Sequence, residues 1–580
     1  MINKNFSFYN KQAIIYSRGE LCKDSEELTK SELFKEVVKR FLDYLYEDNS
    51  SFLDMFGDIR KSEICEVVIS LLQKLTFKTK DRVIKENPEF KEFFEDVYTL
   101  HQFVENFYNY WRNYERFFVY YSEKSHIYDK AHKSFNQTVE KLNEIVREVY
   151  RNICDNITGS SPSIYRQIPA GSQVGLIVTK QKFLCPKGPY DKLKGVGFIR
   201  QVLIEPPLIL DPPMNKRKGQ FIRINSNPLD NISIDKKDWL CYPAKVGDLV
   251  IYTFFHNKMI GLGTSLANLF ELASDEDLKK KPDAVYVYGV SKDSVEKFGS
   301  TVFYDDEKNN MMVGVVPGDD EFAYFGYLKK MLLTLHNIIM MKRKRLPVHG
   351  AMVKLSLKDG NSANIVIMGD SGTGKSESLE AFRVLGEKHI RDMTIIFDDM
   401  GSLELINGQI KAYGTEVGAF VRLDDLHPGF AFGNVDRSII MSPQKINARV
   451  VLPITTLKEV LEGYPVDFFM YANNYEHVDK AHPIYDEFKS IDGAFKVFKK
   501  GVRMAKGTTT EKGLVSSYFA NIFGPVQYKE LHEALAKDYF KALFDSGVKI
   551  AQLRTRLGIL GFETKGPEAA AKALFEMIRK

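Results

Sequence analysis

Apolar residues recur at three- and four-residue steps through residues 1 to about 155, where Gly and Pro are sparse, and the pattern predicts helices. The clearest run is Phe103, Phe107, Tyr110, Tyr114, Phe118 and Tyr121, predicted to share one helix face. An aromatic stripe of this kind fills a helix–helix seam more readily than it offers a stacking platform for bases or sugars. Near Asn156 the texture changes, and NITGSSPS is read as a linker. From about 160 to 320, short β-rich runs (VGLIVT, GDLVIYTFF, AVYVYGV, MMVGVVPG) alternate with turn signals such as PKGP, EPP, DPP and SNPLDN, which predicts a mixed α+β region. From about 321 the pattern alternates between helix and strand. A helix over YFGYLKKMLLTLHNIIMMKRKR is followed by strand VHGAMVKLSL, strand NIVIMG, helix KSESLEAFRVLG and strand MTIIFDD, with KINARVVLPI and VDFFMYA as further strands. The stretch from about 526 reads as helices again.

The 580 residues suit two to four domains at roughly 150 residues each. A chain this long can bury a core without disulfides. The 81 basic and 76 acidic residues leave a net charge of +5, too balanced to point to nucleic acid. The five cysteines (Cys22, Cys65, Cys154, Cys185, Cys241) form no CxxC pair, and scattered thiols suit a reducing compartment. The first residues lack a signal-peptide core, and no apolar run has membrane-spanning length, so a soluble cytoplasmic protein is expected.

Candidate chemistry concentrates in Gly369-Asp370-Ser371-Gly372-Thr373-Gly374-Lys375-Ser376, which fits the phosphate-binding loop GxxxxGK[ST] between a predicted strand and a predicted helix. Glycines let backbone N–H groups converge on phosphate oxygens, and the helix N-terminus favours an anion. Lys375 would reach the β- and γ-phosphates, and the Ser376 hydroxyl would ligate the bridging metal. Asp398-Asp399, 23 residues after Lys375, closes the strand MTIIFDD. Carboxylates there can hold a divalent cation or act as a general base. His349 and the pair Lys329-Lys330 are weak signals taken singly.

In order, YFGYLKK, PVHGAMV, IMGDSGTGKSE and IIFDDMGS resemble the motifs of the ATP-type phosphoenolpyruvate carboxykinase family: YAGExKK, MHCSAN, GLSGTGKTT and a GDD segment. INARVVLPI resembles that family's ENTRxxYPI, and MAKGTTTEKGLVSSYFANIFGP resembles its TAKxAGTExG…FSACFGxP, so the resemblance covers roughly residues 320 to 530. It implies Lys330, His349 and Asp399 as ligands of a catalytic Mn²⁺, with Asp398 beside the nucleotide metal. It implies Lys375 and Ser376 as the loop lysine and the Mg²⁺-binding hydroxyl, Arg449 at the transferring phosphoryl group, and Tyr324 beside the substrate. A lysine ligates a metal only as the neutral amine, so Lys330 needs a depressed pKa.

The chain departs from the family on the substrate side. The GRSPKDK segment is absent, and Arg223 in KGQFIRINSNPLD is the nearest stand-in for its substrate-binding arginine. Tyr327 replaces the Glu of YAGExKK, and the cysteine of MHCSAN is missing. GDSGTGKSE with an upstream HG and a downstream DD also resembles the HPr kinase/phosphorylase family, which Asp370 and Glu377 match better, although that family's LEIRGLGIINV segment is missing.

The expected fold is α/β: a carboxykinase-like phosphate-loop core over 321–525, a mixed α+β domain over 156–320, an extra helical domain over 1–155 and C-terminal helices over 526–580. The expected activity is phosphoryl transfer from ATP, with Mg²⁺ and Mn²⁺, to an enolate or other small acid, in a cleft between the β-rich domain and the core. The alternatives are a kinase acting on a hydroxyl of a small molecule or protein, and a non-catalytic nucleotide sensor. The N-terminal helices would be a surface for a protein partner.

Overall fold

The computed structural model describes residues 5–19, 22–122, 131–164, 168–370, 372–386, 390–423, 426, 433–505 and 512–579. They fall into two compact units, Met1–Gln181 with Gly197–Glu205, and Lys182–Val196 with Pro206–Lys580. Both mix helices and strands, and no helix among the described residues is long and apolar enough to cross a membrane.

The first unit is helical over much of its length but is built on a sheet. Strands β1 (Phe6–Tyr9), β2 (Gln12–Ser17), β3 (Glu115–Ser122), β4 (Val174–Thr179) and β5 (Gly197–Ile204) lie side by side in that order. Helices Glu32–Glu47, Lys61–Phe77, Val97–Arg112 and Ala131–Thr158 share a core around Phe41, Leu72, Leu75, Phe103 and Ile157. Phe103, Phe107 and Tyr110 form the expected helix seam. Their rings meet Phe41 at centroid distances of 5.3, 5.4 and 5.4 Å.

The stripe does not continue as a helix, and the all-helical expectation for 1–155 is corrected here. The helix ends at Arg112, while Phe118 and Tyr121 stand on β3. Arg116 accounts for the break. Its guanidinium donates to the carbonyls of Arg112 (2.6 Å), Tyr114 (2.8 Å) and Gly171 (2.6 Å), which satisfies backbone groups left open at the helix end. Phe117, Phe118 and Val119 are then buried between β2 and β4, where aromatic and β-branched side chains suit a strand covered on both faces. The Asn156–Ser163 stretch begins inside the Ala131–Thr158 helix and belongs to the first unit.

The second unit holds strands β6 (Leu208–Leu210), β7 (Ile222–Ile224), β8 (Trp239–Val246), β9 (Leu249–His256), β10 (Ala284–Val290), β11 (Val302–Asp306) and β12 (Met311–Pro317). The last six run in the order β8-β9-β10-β12-β11-β7. The helix Phe325–Lys342 lies against β12, where Gly314 leaves room for Met331 and Leu335.

A second sheet has the order β20-β16-β15-β13-β14-β21-β25-β22, with β13 (Leu346–Leu357), β14 (Ser362–Met368), β15 (Ile390–Ile406), β16 (Gln409–Gly414), β20 (Tyr464–Pro465), β21 (Phe468–Asn473), β22 (Tyr485–Glu487) and β25 (Lys549–Arg554). Its central strands alternate perfectly between two cores. Val366, Met368, Phe469 and Tyr471 face one side, toward helices Ile491–Lys500 and Lys529–Asp545. Ile365, Ile367, Met470 and Ala472 face the other, toward helices Lys375–Gly386 and Lys565–Arg579. Both faces are covered, so NIVIM and DFFMYA read as continuous apolar runs. The segment 526–580 is not purely helical, since β25 lies inside this sheet beside β21.

Strands β17 (Gly418–Arg422), β18 (Ile439–Met441) and β19 (Arg449–Pro453) form a third sheet with β6, in the order β17-β19-β18-β6. Strands β23 (Val502–Met504) and β24 (Leu514–Ser516) make a separate pair.

Candidate functional site

The phosphate-loop sequence leaves the end of β14 and enters the Lys375–Gly386 helix. Gly372 and Gly374 have φ of +77° and +96°, a region glycine enters freely. A Cβ on Gly374 would lie 2.7 Å from Thr555, so the loop also needs glycine for the close approach of β25's end. The loop's carbonyls are taken up by surrounding donors. Lys375 Nζ and Thr373 Oγ1 donate to Asp370 O (2.9 and 2.7 Å), Asn474 Nδ2 to Gly372 O (2.9 Å) and Thr555 Oγ1 to Thr373 O (2.6 Å). Arg503 Nε holds the Asp370 carboxylate at 3.0 Å, with Ser517 Oγ at 3.3 Å. Ser371 lies outside the described residues.

Strand β13 lies between β14 and β15, which sets the second half of the site. Gly350 pairs with both Met368 and Asp399, and a Cβ there would fall 2.6 Å from Ile367 O. That close approach brings His349, the loop and the two aspartates together. Ser376 Oγ donates to Asp398 Oδ1 at 3.0 Å. Asp399 has a φ of +140°, a strained position for a non-glycine residue, and it is surrounded by cationic and ring nitrogens. Lys329 Nζ and Lys330 Nζ approach Oδ2 at 2.7 and 2.6 Å, and His349 Nε2 approaches Oδ1 at 2.8 Å. Lys329 also reaches Glu416 Oε1 at 3.2 Å.

Burial sets the electrostatics of this group. It lowers the Lys330 ammonium and the His349 imidazole, pushes the Asp398 carboxyl up, and raises Glu416 to about 7. Burial works against ionisation of Asp399 too, but Lys329 and Lys330 override it and hold that carboxyl well below the usual range. His349 Nδ1 faces the carbonyl of Ala520, which can only accept, so Nδ1 carries the hydrogen. In the neutral ring, Nε2 then presents a lone pair to Asp399 Oδ1, and two acceptors at 2.8 Å call for a cation or a proton between them. A neutral amine, an imidazole and a carboxylate fit a borderline divalent ion such as Mn²⁺. Ser376 and Asp398, both oxygen donors, fit Mg²⁺ beside a phosphate.

These residues open onto one cleft of about 740 Å³ in the second unit. Tyr324, Lys330, Asp370, Gly372, Lys375, Ser376, Asp398, Asp399 and Arg449 line it. His349 is buried behind Asp399, and Gly369, Thr373 and Gly374 shape the loop from below the surface. Arg449, at the start of β19, stacks over Phe420 at 5.4 Å, and its buried Nε has no hydrogen-bond partner among the described residues. Burial raises the Tyr324 phenol, with Arg449 and Arg217 pulling it back.

Arg223 is not part of this constellation. It is exposed on β7, with its guanidinium 4.2 Å from the Tyr528 ring, and it does not line the cleft. On β7 it pairs with Phe303 of β11. The cleft instead receives Lys216, Arg217 and Lys218 from the stretch just before it. Arg217 packs against the rings of Phe221 and Phe523, at 5.2 and 5.1 Å, and burial lowers its pKa. Glu416 and Arg217 have no motif around them, and Arg503 stands one residue before the stretch that resembles TAKxAGTExG. The one available signal was the basic run Lys216-Arg217-Lys218 between turn residues. Part of the stretch resembling TAKxAGTExG, residues 506–511, lies outside the described residues. Compared with protein-family models and with curated proteins, the chain matches none.

Proposed function

We propose that this chain is an ATP- and divalent-metal-dependent phosphotransferase of the phosphoenolpyruvate carboxykinase kind, acting on a small acid. The observation that carries this reading is the single cleft in which the phosphate loop, the Lys330–His349–Asp399 group and the basic run Lys216–Lys218 face one another. The loop amides of Gly369 and Thr373 donate to His349 O and Asp370 O; the other described loop amides and the helix N-terminus would be the donors to phosphate, and Lys375 would turn from Asp370 O to the β- and γ-phosphates. Lys330, His349 and Asp399 would hold one cation, with Ser376 and Asp398 at the other. When bound, the cations neutralise charge on the transferring group and its acceptor.

On the protein side, Arg449 stabilises charge on the γ-phosphoryl oxygens, and Arg217 with its lysine neighbours binds the acid's carboxylate. The P–O bond to the leaving ADP breaks as the P–O bond to the acceptor oxygen forms; with oxaloacetate that oxygen would be the enolate's, left when the C–C bond to the departing CO₂ breaks. Lys329 and Glu416 fix the Asp399 carboxylate from the buried side. The non-catalytic sensor reading leaves this complete set of metal and phosphate donors without a task.

The test is a carboxykinase assay in both directions with oxaloacetate, ATP and Mg²⁺ or Mn²⁺, beside a Lys375→Ala control. Phosphoenolpyruvate formation that the control loses establishes the reading. Transfer to other acids with the same dependence on Lys375 keeps the phosphotransferase and changes the acceptor. ATP turnover equal in wild type and Lys375→Ala overturns it.

A further inference from the structure

A group of ligating side chains in the first unit takes no part in the cleft chemistry. His101 and Glu105 lie one turn apart on the Val97–Arg112 helix, so both project from the same face. Cys154 comes from the Ala131–Thr158 helix, which shares a core with it through Phe103, Val104, Ile153 and Ile157. His101 Nε2 lies 3.8 Å from Glu105 Oε1, and Cys154 Sγ lies 3.9 Å from the same oxygen. All three donor atoms fall within 4.8 Å of one another, the one such group of His, Cys, Asp and Glu among the described residues.

We propose that His101, Glu105 and Cys154 form a metal site for a borderline-soft divalent cation of the Zn²⁺ type. Tetrahedral zinc with ordinary bond lengths places neighbouring donor atoms roughly 3.3–3.7 Å apart, so the 3.8 and 3.9 Å pairs stand close to that spacing, and the third pair, within 4.8 Å, closes by at most about 1.3 Å. The donor set of one imidazole, one carboxylate and one thiol is a zinc set rather than a calcium or magnesium one.

The surroundings supply what such a site needs. The Tyr150 hydroxyl donates to Glu105 Oε1 and orients the carboxylate. Tyr150 is itself fixed by stacking on Tyr108, with centroids 3.9 Å apart. Cys154 is 8% exposed, whereas the His101 and Glu105 side chains are 27% and 30% exposed, which leaves a path for the ion and for a water as fourth ligand. Burial pushes the Cys154 thiol up to about 12, so it is protonated by itself; as the sulfur–metal bond forms, the S–H bond breaks and the proton passes to solvent. The metal would pin the two helices together, a stabilising role independent of the phosphotransferase reading.

The probe is Co²⁺, titrated into the full chain after dialysis against a chelator. The expected result is a near-ultraviolet thiolate-to-cobalt charge-transfer band that saturates at one equivalent and is displaced by Zn²⁺. Cys154→Ser should abolish the band although the other cysteines remain. His101→Ala, a change at a partly exposed position, should remove the tetrahedral visible bands, and Tyr150→Phe should weaken Zn²⁺ binding about 10- to 100-fold. Zn²⁺ should raise the melting temperature of the wild type and not of His101→Ala. The absence of a charge-transfer band in the wild type overturns the proposal, as does an equal band in Cys154→Ser.

Discussion

Arg217 and Arg223 stand six residues apart, and they separate two kinds of arginine. The first packs against two phenyl rings and lines the cleft, and the second sits over the Tyr528 ring at an exposed strand. A charged hydrogen bond to a carboxylate contributes about 1.5–3 kcal/mol. Arg217→Ala is therefore expected to raise KM for the acid about 10- to 100-fold with kcat little changed, and Arg223→Ala to leave both within about twofold. Steady-state kinetics on the acceptor decide it, and equal effects of the two changes would remove Arg217 from the substrate role. The contiguous loop and the DD pair were legible at this scale because their chemistry is carried by neighbours in the chain. Arg217, Arg503 and Glu416 were not, because a charged residue outside a motif, even in a basic run or beside a motif's first residue, carries no sign of what it will face.

Among the elements, the loop with its helix and the central sheet are the most exacting. Gly374 combines a φ of +96° with Thr555 atoms at 2.7 Å from a would-be Cβ. Gly374→Ala must move the loop or β25's end, at a cost of about 1–3 kcal/mol of local strain. ATP affinity measured by calorimetry should fall by at least about tenfold, while far-ultraviolet circular dichroism stays unchanged; an unchanged affinity would show that the loop does not grip phosphate in this form. On the opposite face of the sheet, Phe540 meets Phe469, Phe495, Phe498 and Phe519 at centroid distances of 6.0, 5.4, 5.1 and 6.4 Å. Phe540→Ala is expected to cost about 3–5 kcal/mol in urea unfolding of the second unit, and a loss under about 1 kcal/mol would mean the core refills the space. The helix at 375–386 and strand β10 coincide with their sequence reading, since each carries its full period within its own length. Strand β3 was hidden because its aromatic residues prolong the three-to-four spacing of the helix before it, and Arg116, 55 residues from the Gly171 carbonyl it bonds, is what ends that helix.

At the scale of the whole molecule, buried histidines make stability depend on pH. His532 is 1% exposed, and burial holds its pKa down at about 4. The unfolded chain, near 6.5, binds more protons than the folded one between those values, so this stability is complete above about pH 6.5 and is lost as pH falls toward 4. Between about pH 7 and about pH 5, His532 should account for about 2 kcal/mol of lost stability, readable as a shift in urea midpoint that His532→Gln flattens. A midpoint equally pH-dependent in that variant would place the sensitivity elsewhere, for example at His336, which burial also lowers to about 4. The amino-acid sequence by itself determined the periodicities of the inner strands and helices, the phosphate loop and the acidic pair beside it, because each is written in adjacent residues. Only the tertiary structure decided that Lys329 joins the Lys330–His349–Asp399 group that the family resemblance implied, that basic residues 216–218 rather than Arg223 reach the cleft, and that residues 115–122 become a strand. The physical reason is common to all three: a charge or an aromatic ring takes its role from partners tens to hundreds of residues away, and tertiary packing, not sequence spacing, brings those partners together.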